Sequence, residues 1–301
     1  EKQTFIFNFY LLYNKYNCQD LRNKMQRKLV KQGRGALTVT LPSKWLKERK
    51  LTAGQVIEVT EGNDRLVIQS SKQRTTKKTS LDLRHCKRRS MFFHILLGKY
   101  MDGYDVIEIV HRSPELMNQI VPHMMGFAIS KHSSTKTIFR NIVAVPEDNF
   151  EVILRRAGHQ LVKQAEDIQL VVSNQITEKE YQSQERILDQ HILYCMRYLN
   201  KYQSNEASYR QFLLLATFES VGDQLRYIAK NIKKNRKVAK AISDLVQKYV
   251  DLIFAKDFDN LYLLLKPAIK KYPKRTYLDG LVYSLMEMLY NNIGYLVEER
   301  K

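Results

Sequence analysis

Cysteine is scarce in this chain and poorly placed for chemistry. The 301 residues hold three, Cys18, Cys86 and Cys195, widely spaced and with no Cys-x-x-Cys. That pattern argues against a disulfide framework or a thiolate zinc site and suits a reducing compartment. No apolar run reaches the ~18 residues that a membrane span needs. Phe5 to Tyr13 is apolar but short, with neither a basic flank nor a small-residue cleavage site after it. The chain therefore reads as soluble and cytoplasmic, with no membrane insertion. Gly33-x-Gly35 lacks the third glycine of a dinucleotide fingerprint and precedes a strand, so nucleotide binding is rejected there. Neither Gly-x-Ser-x-Gly nor a Cys/His pairing offers a nucleophile, and no enzymatic activity is expected. Acids are also outnumbered: 31 Asp+Glu stand against 50 Lys+Arg, a formal charge of 50 − 31 = +19. Such an excess points to a polyanionic partner, either nucleic acid or an anionic membrane surface.

The acids that are present recur at one spacing. Glu219 and Asp223 lie four apart on a strongly helical segment, so both leave one face, about 6 Å apart at Cβ. Like charges at this spacing repel, and a cation shared between carboxylates is one way to offset the repulsion. The alternative is a pair of solvated helix acids. Glu185 and Asp189 repeat the spacing one helix earlier, and Glu287 with Asn291 repeats it with an amide in place of the second acid. Glu219 aligns with Glu287, Asp223 with Asn291, Leu225 with Ile293 and Ile228 with Leu296, which suggests an internal duplication. Gly222 costs a helix roughly 1 kcal/mol against alanine; close helix packing is the favoured reason for it.

The expected fold class is α+β and multidomain. Residues 1–25 form an N-terminal extension, read as upstream sequence from a misplaced start or as a helix that packs on a partner. It is expected to be poorly ordered if nothing holds it. Residues 26–72 alternate short β patterns with turns at Gly33-Arg34-Gly35, Ala53-Gly54 and Gly62-Asn63-Asp64, and Pro42 opens a short helix at its first position. Residues 25–78 carry thirteen Lys or Arg and four acids, a local charge of 13 − 4 = +9. Residues 73–147 alternate strand and helix and predict a small α/β layer. Residues 148–301 are helical throughout, with helices predicted at 148–174, 177–203, 206–234, 237–255, 257–271 and 275–300. They predict two antiparallel three-helix bundles, 148–235 and 236–301, joined end to end. Lys230, Lys233, Lys234, Arg236, Lys237 and Lys240 close the third helix, where cations suit the helix dipole; contact with DNA or an acidic partner is the other reading. Glu108-Ile-Val-His111 has a ligand-like spacing but falls on a predicted strand, and His159 and His191 read as structural.

Two stretches carry resemblances. Arg27-Lys-Leu-Val-Lys-Gln-Gly-Arg-Gly-Ala-Leu-Thr-Val-Thr-Leu-Pro-Ser-Lys-Trp-Leu, with Leu51-Thr-Ala-Gly-Gln-Val-Ile-Glu-Val after it, resembles the AbrB/SpoVT swapped-hairpin DNA-binding family over about 45 residues. The resemblance implies a β-barrel completed by a homodimer through the N-terminal domain, with Arg27, Lys28, Arg34 and Lys47 facing DNA. Where that family has a double arginine, this chain has Leu46-Lys47. Glu219-Ser-Val-Gly-Asp-Gln-Leu-Arg-Tyr-Ile-Ala is similar to the hallmark helix of the PhoU family, and Glu185…Asp189 to its partner motif. This implies Glu185, Asp189, Glu219 and Asp223 as ligands of a divalent or trivalent metal ion (Fe, Zn, Mn or Mg). A single metal cluster is expected, in the first bundle, because no acidic pair faces Glu287. Together the two resemble a group of archaeal phosphate-uptake regulators, and imply a phosphate-responsive DNA-binding transcriptional regulator. The alternative is a module that does not bind DNA but docks on a phosphate transporter ATPase or a sensor kinase.

Overall fold

The structure, a computed structural model, describes residues 26–33, 35–61, 66–70, 76–143, 149–202, 206–271 and 275–296. The N-terminal extension, Arg34, the turn at 62–65 and the stretch 71–75 lie outside them. The chain divides into two compact units, one ending at Thr76 and one running from Lys77.

The first unit is two hairpins and a short helix. β1 (Val30–Gln32) pairs antiparallel with β2 (Ala36–Thr38), Val30 opposite Thr38. Gly33 and Gly35 hold φ of 71° and 89°, a left-handed backbone that glycine adopts without a Cβ clash. The helix α1 (Ser43–Glu48) starts one residue later than expected. Pro42 is extended at ψ 126° and caps the helix from outside, its carbonyl accepting from Leu46 N at 3.0 Å. β3 (Ile57–Glu61) pairs antiparallel with β4 (Leu66–Ser70). These are separate two-stranded sheets, and no barrel closes among the described residues. None of the described side chains of this unit is buried. Val56 is 78% exposed, Leu66 65% and Leu37 63%.

The second unit begins with a four-stranded sheet of order β5-β6-β8-β7. β5 (Lys78–Asp82) runs parallel to β6 (Val106–Val110), joined by α2 (Arg89–Met101). Pro114 opens α3 (Pro114–Ile120), which runs into a 3-10 turn at Val121–His123. β7 (Phe127–His132) and β8 (Lys136–Asn141) form an antiparallel hairpin. Ile107 and Ile109 of β6 are buried while Val106, Glu108 and Val110 are half-buried, the alternation of a strand with one face on a core. Phe92, Leu96, Tyr100, Met117 and Phe139 complete that core.

His111 follows β6 and is buried. Its Nε2 meets Thr137 Oγ1 at 2.8 Å, and His132 Nδ1 meets the same hydroxyl at 2.8 Å. Burial pulls the His111 imidazole below its ordinary value, His132 adds to the effect, and Glu115 opposes it. The unfolded chain therefore binds this proton at higher pH than the folded one. This contribution to stability is complete above about pH 6.5 and is lost as pH falls from there toward the folded-state value. Thermal melting is expected to weaken between pH 7.5 and 5.5, and His111→Gln to flatten that dependence. An unchanged pH slope in the variant would reject the assignment.

The rest is helical: α4 (Asn149–Val172), α5 (Glu178–Tyr202), α6 (Glu206–Asn231), α7 (Arg236–Ala255), α8 (Phe258–Lys271), α9 (Tyr277–Asn291) and the single turn α10 (Ile293–Leu296). Asn174 is left-handed after α4, Asn235 caps α7 by accepting from Val238 N, and Thr276 with Asp279 forms a capping box on α9. The halves are not joined end to end. α7 lies along α4 as extensively as α5 does, and α9 lies along α6. Gly158 is one physical reason: a Cβ there would stand 2.4 Å from Phe254 Cε2 of α7, so only glycine admits that ring. Likewise the Gln224 side chain of α6 donates to Leu281 O of α9 at 2.7 Å.

The helices are locked to the sheet layer by Arg197 of α5. Its Nη1 donates to the carbonyls of Tyr100 and Tyr104, both at 2.7 Å, and its Nη2 to Asp105 Oδ1 at 3.0 Å. Lys201 pairs with the same carboxylate, which also accepts from the Lys77 amide at 3.0 Å. Burial pushes the Asp105 carboxyl up, but these hydrogen bonds and the nearby cations outweigh it, and the group lies below its ordinary value.

Candidate functional site

The four carboxylates singled out by spacing sit on two neighbouring helices. Glu185 and Asp189 are on α5, and Glu219 and Asp223 on α6. Glu185 is buried, while the other three are half-buried. Between the helices stands Arg226, which the spacing argument did not include. Its Nε lies 3.3 Å from Glu185 Oε1, and its Nη2 donates to Asp223 Oδ1 at 3.1 Å. The guanidinium also covers the Tyr227 ring, 5.0 Å from its centroid. Burial alone would pull the Arg226 pKa down, but Glu185 and Asp223, with Asp189 further off, raise it above its ordinary value. The sequence signal for this residue was its place three after Asp223, a helical pairing distance.

α6 and α5 meet closely because of Gly222. A Cβ there would stand 2.7 Å from Leu188 Cδ2 of α5 and 3.2 Å from Gln164 Oε1 of α4. Gln164 Nε2 donates to the Gly222 carbonyl at 3.1 Å. Close packing is thus a sufficient reason for this glycine. Asp167 of α4, another buried acid, pairs with Lys163 at 2.7 Å. Asp167 lies four after Lys163, a helical pairing distance, whereas the uncharged Gln164 carried no such signal.

This arrangement is a carboxylate–guanidinium bridge. Among the described residues no three His, Cys, Asp or Glu side chains are grouped so as to hold an ion. In this conformation Arg226 supplies the positive charge between Glu185 and Asp223, and the donor set fits a guanidinium better than a metal. The second-half counterparts, Glu287 and Asn291, are exposed. Glu108 pairs with Lys136 at 2.8 Å, which accounts for it structurally. His191 Nδ1 bonds the Ile187 carbonyl of its own helix at 2.7 Å, and His159 is exposed.

On the first unit, Arg27 and Lys28 precede β1 and Lys47 lies in the last turn of α1, all three exposed. Arg34 lies outside the described residues. No helix of the described residues is long and apolar enough to cross a membrane. No family model matches the chain, and no curated protein or solved structure matches it either.

Proposed function

We propose that this chain is a phosphate-responsive, DNA-binding transcriptional regulator, with an AbrB/SpoVT-like head joined to a PhoU-like helical body. The observation that carries the reading is the head's lack of a core. Val30, Leu37, Val39, Val56, Val59 and Leu66 each lie roughly half exposed or more, in a unit without one buried side chain among those described. A lone two-stranded hairpin is marginally stable in water. A second copy that exchanges hairpins would cover these residues and complete a barrel. It would also bring two sets of Arg27, Lys28, Arg34 and Lys47 together on a head already strongly basic. Phosphate contacts from such a surface supply affinity and fix register on the duplex.

In this reading the helical body is the sensor. Glu185, Asp189, Glu219 and Asp223 would take Fe, Zn, Mn or Mg only after Arg226 gives up its two carboxylates. Metal content measured by elemental analysis is expected to fall in Glu219→Ala/Asp223→Ala and to rise in Arg226→Met. Full metal in the double variant would rule these residues out as ligands. The test of the whole reading is duplex-DNA binding by the dimer. No binding at low salt would favour the docking alternative, with a phosphate transporter ATPase or a sensor kinase as partner.

A further inference from the structure

Where α4 ends, α5 begins and α6 ends, a cavity of about 370 Å³ opens to the surface. Its lining includes the apolar Val171, Val172 and Ala229 and the basic Lys230, Lys233 and Lys234. The basic part of the lining is built by the turn after α6. Lys233 adopts a left-handed φ of 50°, uncommon for a residue with a Cβ, and this turn sets Lys233 and Lys234 beside Lys230 at the helix end. All three are exposed, and none forms an ion pair among the described residues. Lysines that close together repel unless an anion is shared between them. Glu178 is the one acid of the lining, and it is engaged by Gln182 of its own helix at 3.2 Å.

Tyr181 also lines the cavity while being 1% exposed. Its hydroxyl lies near Gln164 but forms no hydrogen bond of good geometry among the described residues. Burial pushes that hydroxyl far above its ordinary value, so it remains a donor. Gln164 Oε1, buried and itself without a hydrogen bond of good geometry, is the acceptor at hand for it. Arg226 lines the same space from behind, where it holds Glu185 and Asp223.

The geometry points to a binding site for a nucleoside di- or triphosphate, its phosphates on Lys230, Lys233 and Lys234 and its base against Val171, Val172 and Ala229. The size sets the class. Pockets for organic ligands begin near about 300 Å³, and an orthophosphate would leave most of this one unfilled. Lysine binds phosphate as a mobile point charge, which suits a flexible chain of phosphates. The site is separate from the basic head and does not require the carboxylates to bind metal, so it stands apart from the function proposed above. Because Arg226 serves both cavity and bridge, an occupant also changes the charge balance at Glu185 and Asp223.

Calorimetric titration of the full chain, without added metal, tests the site with three probes: ATP, inorganic triphosphate and orthophosphate. ATP is expected to bind more tightly than either inorganic anion. Lys230→Gln/Lys233→Gln/Lys234→Gln, all surface changes, is expected to weaken ATP by about tenfold or more with an unchanged melting temperature. Lys28→Gln/Lys47→Gln on the head is expected to keep ATP affinity. The site is refuted if ATP shows no heat at about 1 mM, if the triple variant binds it as well as the parent, or if the head variant abolishes binding. Equal affinity for inorganic triphosphate overturns the nucleoside assignment.

Discussion

Arg197→Met is expected to destabilise the unit that starts at Lys77 by about 2–4 kcal/mol, the cost of removing a buried donor from backbone carbonyls and one of two cations from the Asp105 carboxylate. Arg197 is 3% exposed and spans three acceptors, among them the carbonyl of Tyr100 in the last turn of α2 and that of Tyr104 in the connection after it. Its loss takes the Arg197 donor from the Tyr104 carbonyl, leaves the Tyr100 carbonyl with the Gly103 amide alone at 3.1 Å, and weakens the hold on Asp105, which itself fixes the Lys77 amide. Arg197→Lys keeps the charge but cannot reproduce a planar fork of donors, so most of the loss is expected to remain. Denaturant unfolding measures the effect. A loss below about 1 kcal/mol would mean that the arginine is dispensable and that the two layers are held by apolar contact alone.

The second large effect is the salt dependence expected of the proposed DNA binding by a dimer. Four basic positions on each of two protomers allow roughly eight phosphate contacts, hence a slope of log K against log salt near −7. Between 50 and 200 mM salt, affinity for duplex DNA is then expected to fall by about 10⁴-fold. Lys47→Gln removes one contact from each protomer, and the slope is expected to shallow by about 2. Fluorescence anisotropy with a labelled duplex gives both numbers. Binding that barely responds to salt would mean that the head grips something other than the phosphate backbone.

The helical part of the chain was the most legible. Breaks anticipated at Asn174 and Asn235 fall where a left-handed residue and a helix cap stand, because asparagine tolerates one role and favours the other. The sheet layer was legible too, since Ile107 and Ile109 alternate with polar or half-buried neighbours. The arrangement of the helices was less so. Periodicity tells which face of a helix is apolar but not which helix covers it. The lateral seam of α4 with α7 depends on the single absent side chain of Gly158. At the candidate site, spacing brought attention to Glu185 and Asp223 but not to Arg226, whose guanidinium lies against both. A spacing rule registers acids four apart; it does not ask whether an arginine three further on already answers them.

Glu185 and Arg197 ride on one uninterrupted helix, α5, at 197 − 185 = 12 residues' separation, about 18 Å along its axis. One end is gripped by Arg226; the other grips the carboxylate that fixes Lys77, the first residue after the head. A single stiff segment thus ties two arginine–carboxylate bridges together, Glu185 with Arg226 and Arg197 with Asp105.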